Sequence, residues 1–272
     1  MAHNTLRLPL LIEAGQLFSH LNDKQMLIVD LSSDSAYRQG HIPGAVHVNT
    51  ADLIRGEKPA PGLLPTVEKL NQLFSCLGLT PDTHVVCYDD EGGAWPGRFL
   101  WTLEVIGHRH YSYLNGGIHS WRAHHLPEET PVQHRSPSTV NVTIHPDAIA
   151  TTEDILTQLG NPDFLVWDAR SGEEYRGEKV LSRNGGHIPG AIHCEWTTLL
   201  DANDNLRIRK DAAAYLEQLG ITPDKQIVTH CQTHRRSGLT WLVAKILGYP
   251  NVRAYPGSWS EWGNRRDTPV EK

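Results

Sequence analysis

Residues 229–238 read THCQTHRRSG, placing one cysteine, two histidines and two arginines directly ahead of an apolar run. A thiol in this setting is a candidate nucleophile, because the thiolate is the attacking species and nearby cations favour it. Arg235 and Arg236 bring full positive charge. A loop curling from Gln232 through Thr233 and His234 to Ser237 would also turn backbone N–H groups inward. The expected product is an anion-binding pocket with Cys231 at its base and a thiol pKa below the free value of about 8.5. A metal site built from His230, Cys231 and His234 is disfavoured. Adjacent strand residues point to opposite faces, and no second cluster offers further ligands at a recognisable spacing. Neither a metal nor a cofactor is expected.

Such a loop needs a strand before it and a helix after it. QIVTHC (226–231) is a short apolar run of the kind buried in parallel sheets. After it, Leu239, Leu242, Val243, Ile246 and Leu247 recur at i, i+3, i+4, i+7 and i+8, an amphipathic helix that Gly248 stops. The helix is expected to begin near Ser237, and NVRAYPG supplies the next strand. Strand, helix, strand predicts a mostly parallel sheet flanked by helices, with Cys231 at the carboxyl edge where α/β sheets bind ligands. Asp168 ends another such run, FLVWDA (164–169), at the same edge. It is expected to pair with Arg170 or to orient the loop, a supporting role.

The chain repeats itself. HIPGAVHV (41–48) returns as HIPGAIHC (187–194), LGLTPD (77–82) as LGITPD (219–224), and LNGGIHSW (114–121) as YPGSWSEW (255–262). The order is kept at offsets near 140 residues, so the sequence predicts two copies of one α/β domain, 1–126 and 148–272. Residues 127–147, rich in Pro, Ser and Thr, read as an extended linker crossing the surface of both. Strand register sets Asp89 of the first copy opposite Cys231, with a loop expected to run one residue longer. A carboxylate cannot carry sulfur as a thiolate can, and Asp89, Asp90 and Glu91 would repel an anion, so this copy reads as chemically silent. Cys87 is expected to pack in its core. His41 and His187 are expected to orient the HIPGA turns.

Whole-chain properties limit the alternatives. With 25 basic and 31 acidic residues the formal charge is −6, which argues against nucleic acid as a main partner. No apolar run approaches membrane-spanning length, and Glu13 interrupts the N-terminal one, so the reading is a cytoplasmic protein without membrane contact. Four cysteines without C-x-x-C spacing do not suggest a disulfide framework. A monomer is expected.

The repeated HIPGA blocks, the D-x-R of Asp168 and Arg170, the CQTHRRS loop and the closing GSWSEW together resemble the two-domain rhodaneses over nearly the whole chain. The likeness is to a bacterial subgroup with a CQTHRRS-type loop. It implies two tandem rhodanese-like domains, the second catalytic. It also implies a thiosulfate sulfurtransferase in which Cys231 takes sulfur as a persulfide and passes it to a thiophilic acceptor such as cyanide. Arg236 and, alongside it, Arg235 would hold the anionic donor. The animal enzymes place a second cation four residues after the D-x-R; here Glu174 stands there, and Arg176 is a substitute candidate.

Two other classes stay open on these residues. Cysteine phosphatases and arsenate reductases of this fold use H-C-x5-R, whereas four residues separate Cys231 from Arg236, giving a smaller cradle. A persulfide carrier delivering sulfur, or selenium, to a protein partner would share the same cysteine.

Overall fold

The computed structural model describes residues 6–272; the first five residues of the N-terminal stretch read above lie outside it. The chain divides into two compact units. In the first, five parallel strands lie in the order Leu11–Ile12, Tyr111–Leu114, His84–Tyr88, Met26–Asp30, Val46–His47. Met26–Asp30 and His84–Tyr88 are buried at every position, and apart from Asp30 and His84 at their ends they carry the apolar run expected of strands covered on both faces. The helix Ala94–Val105 is buried almost throughout, so it acts as core rather than cover.

The second unit repeats the plan with four parallel strands, Val252–Ala254, Gln226–His230, Phe164–Asp168 and Ile192–His193. Its outer position is taken by a single parallel bridge, Ile149 to Ala254. Both HIPGA turns are built alike. The Nδ1 of His41 lies 2.8 Å from the Tyr37 carbonyl and its ring stacks on Tyr37 at 3.8 Å. His187 does the same with Tyr175, at 2.9 and 3.7 Å. In both units the histidine therefore braces its HIPGA turn against a tyrosine.

Two features go beyond the simple repeat. Residues 127–145 belong to the first unit, tied to it by hydrogen bonds such as Ser138 N–H to the Ser75 carbonyl and His145 N–H to the Val105 carbonyl. Each unit also takes a segment from within the other repeat: Asp201–Arg207 packs with the first, where Arg207 pairs with Glu13 at 2.7 Å, and Ile54–Leu64 packs with the second. No helix among the described residues is long and apolar enough to cross a membrane.

Candidate active site

The strand Gln226–His230 ends one residue before Cys231, and the helix Arg236–Ile246 starts five residues later. The loop between them is fixed at its first two carbonyls. Cys231 C=O accepts from Trp259 N–H at 2.9 Å, and Gln232 C=O from Ser260 N–H at 3.0 Å. His234 adopts φ +54°, a left-handed conformation that a non-glycine residue holds only when its surroundings impose it. Here burial and a 2.8 Å contact from its Nδ1 to Ser237 Oγ do so. Thr233 is pressed from outside by Gly62, whose position leaves no room for a Cβ against the Thr233 carbonyl.

Cys231 is buried at 1% exposure. Burial pushes its thiol pKa up, but the Arg236 charge and hydrogen bonds from Ser237, backbone and side chain, and from the Thr233 backbone outweigh it. The net shift is downward, so the sulfur at the base of this loop is held toward the thiolate. Arg236 is itself tied down, donating to both oxygens of Glu174 at 2.5 and 2.9 Å. Burial raises the Glu174 pKa, yet the paired guanidinium overrides it and holds the carboxyl at about 2. Arg236 thus spans Glu174 and Cys231.

Below this pair lies a second buried group. Arg170 donates to both oxygens of Asp168, with Nη2 at 2.6 Å from Oδ2, and to the Gly186 carbonyl at 2.8 Å. Its guanidinium stacks 4.3 Å over Trp259, whose backbone N–H holds the Cys231 carbonyl. Burial raises the Asp168 pKa, but His230 and Arg170 more than compensate and bring it below the ordinary value. His230, on the opposite strand face from the cysteine, sits 3.6 Å from Asp168. Burial lowers its pKa.

Thr233, Arg236 and Ser237 act on the Cys231 sulfur, while His234 contacts Ser237, Gln232 reaches Ser182 and Arg235 stands at the start of the helix; Asp168 and Arg170 connect to the loop through Trp259. The structure does not bring Arg176 there: that side chain is exposed and pairs with Glu178 at 2.8 Å. Glu174 as the partner of Arg236 is not legible in the sequence because the two lie 62 positions apart. The readable signal was its place in the capping box Ser171-x-x-Glu174. Among the described residues no cluster of ligating side chains suits a metal ion.

In the first unit Asp89 occupies the cysteine position, since its carbonyl accepts from Ile118 N–H at 3.1 Å as that of Cys231 does from Trp259. The loop expected to be one residue longer is not: five residues, 89–93, separate strand from helix there, as 231–235 do in the second unit. Gly92 and Gly93, both at positive φ, turn the chain early, and the helix then starts at Ala94 with Pro96 in its first turn, where a missing N–H costs nothing. Cys87 is fully buried, with its pKa pushed well up by burial.

Two parallel α/β units, each with a loop from sheet edge to helix, define a class of protein. A rhodanese-like domain model matches residues 13–124 and 151–265, and the chain belongs to that family. It is 53% identical over 266 residues to a thiosulfate sulfurtransferase of Pseudomonas aeruginosa and 52% identical over 264 residues to one of Azotobacter vinelandii, covering 97% of each chain in both cases. A crystal structure of a 3-mercaptopyruvate sulfotransferase from Escherichia coli superposes with a TM-score of 0.81 at 27% identity, over 93% of this chain and 99% of that one.

Proposed function

We propose that the protein is a thiosulfate sulfurtransferase working through a persulfide on Cys231. The observation that carries this reading is a buried cysteine whose thiolate is favoured by one fixed guanidinium, the backbone N–H groups of Thr233 and Ser237 and the Ser237 hydroxyl. The Cys231 thiolate attacks the outer sulfur of thiosulfate; the S–S bond of the donor breaks and sulfite leaves with the electron pair. The acceptor, cyanide in vitro, then attacks the enzyme-bound sulfur and restores the thiolate. The loop donors stabilise the anionic persulfide as an oxyanion hole stabilises developing charge. Arg236 holds its charge against the sulfur with Glu174 as its positioning residue, and Arg235 attracts the sulfonate end of the donor. Asp168 and Arg170 keep the loop seated through Trp259.

A phosphatase reading is disfavoured, because only four residues separate Cys231 from Arg236, which makes a smaller cradle than the H-C-x5-R loop of the cysteine phosphatases. Steady-state kinetics test the choice: thiocyanate release with parallel reciprocal plots for thiosulfate and cyanide is expected. Turnover of an aryl phosphate without thiocyanate formation would overturn it.

A further inference from the structure

The two HIPGA turns are built on the same stacked Tyr–His pair, yet three residues separate Tyr37 from His41 and eleven separate Tyr175 from His187. The catalytic copy therefore carries an inserted loop that the silent copy lacks. Its neck is pinched by glycines: a Cβ on Gly177 would strike the backbone of Gly185 and Gly186. Its body is anchored beside the active loop. Ser182 Oγ accepts from Gln232 Nε2 at 3.2 Å and donates to the Trp259 carbonyl at 3.2 Å, and Arg183 N–H donates to Asn264 at 2.8 Å. Its tip presents Val180 and Leu181, 52% and 54% exposed, two of the few large apolar side chains left in solvent. Lys179 and Arg183 flank them, exposed and without a carboxylate partner among the described residues; Arg266 follows two residues after Asn264 in the same condition. The one acid of the loop, Glu178, is taken up by Arg176.

An apolar tip ringed by unpaired cations, one hydrogen bond from the loop that holds Cys231, suits an acidic macromolecular acceptor and not a small anion. We infer that residues 177–186 form a docking loop for an acidic protein that presents a thiol to the Cys231 persulfide. This rests on the persulfide reading above. In the transfer, the partner thiolate attacks the outer sulfur, the bond between that sulfur and Cys231 Sγ breaks, and Cys231 leaves as thiolate. The sulfur moves to the partner as a new persulfide, and no outside oxidant is needed.

The test uses the full chain, thiosulfate, and two cysteine peptides of equal length, each with leucines flanking the cysteine, one rich in glutamate and one in lysine. Wild-type protein is expected to prefer the acidic peptide at least fivefold in kcat/KM. The double variant Lys179→Glu with Arg183→Glu should abolish or reverse that preference. Val180→Ser with Leu181→Ser should lower kcat/KM for the acidic peptide several-fold. Cyanide turnover should stay within twofold of wild type in both. No preference in the wild type, or a preference that survives both double variants, would overturn the docking loop while leaving the sulfurtransferase intact. So would a dimer, seen by sedimentation, that dissociates in Val180→Ser with Leu181→Ser, since the tip would then be covered by a second copy. Absence of cyanide turnover in the wild type would instead strike the underlying reading.

Discussion

The two units share one strand–loop–helix plan and differ in the residues that meet at its loop. Asp30 pairs in register with Tyr88 in the first unit, and Asp168 with His230 in the second. Counting from those aspartates, Ser32 matches Arg170 and Ala36 matches Glu174; counting from the loop start, Ala94 matches Arg236. The ion pair that faces the cysteine is thus a pair of alanines in the silent unit. Asp89 there accepts the N–H of Gly93 at 2.8 Å, so the loop still wraps an acidic side chain, but one fixed in the chain. The aspartates record the difference. Burial leaves Asp30 with a raised pKa, while His230 and Arg170 overcome burial at Asp168 and lower it. The fold alone supplies a cradle; Arg236 makes it one in which a thiolate is favoured.

The sharpest way to break this comparison is to exchange the anions. Cys231→Ser should abolish thiocyanate formation, and Asp89→Cys added to it should restore none, because Ala94 gives the new thiol no cation. Recovery of turnover would mean that the loop backbone suffices.

The aspartates should differ in stability as they do in charge. Asp168 has a folded pKa below its unfolded value, so its ionised form stabilises the fold above pH 3.8, and that stability is lost as pH falls through the folded pKa. Asp30, with a raised folded pKa, contributes at acid pH and loses its contribution as pH rises through that value. Urea denaturation at pH 7 should therefore show Asp168→Asn costing about 3–5 kcal/mol, as for a broken buried pair. Asp30→Asn should cost far less.

Removing the cation has the next largest effect. Arg236→Ala should lower kcat/KM for thiosulfate about 100-fold, the scale of one lost stabilising donor in a buried site. It should also raise the pH at which Cys231 is alkylated by iodoacetamide. Arg253→Ala, which breaks only a half-exposed contact with Asp154, should change neither. Glu174→Gln is milder. Loosening the guanidinium should reduce kcat about tenfold, while loss of a negative charge shifts the acid limb of the rate profile to lower pH. A fall in kcat with no movement of that limb would make Glu174 a purely structural residue.

Much of this was legible in the sequence because it is local. The cysteine loop joins a strand and a helix that are contiguous in the chain, and the apolar run QIVTH and the stripe from Leu239 fixed both. The Asp168–Arg170 pair spans two residues and was expected. Glu174 was visible only as a departure from the related pattern, since its partner lies across the fold. The pressure of Gly62 on Thr233 depends on a segment borrowed from the other repeat, which no spacing announces. The first unit's loop is no longer than the second's because Gly92 and Gly93 turn the chain early and Pro96 is tolerated in the first turn of the helix, a conformation that residue spacing does not reveal.

On the proposed mechanism, sulfur is carried by the second loop alone. Incubating the protein with thiosulfate, removing excess donor and mapping the added mass by peptide analysis tests it most directly. One extra sulfur on the peptide that contains Cys231, discharged by cyanide, is the expected result. No added sulfur, or sulfur on Cys76, Cys87 or Cys194 with Cys231 unmodified, would contradict it.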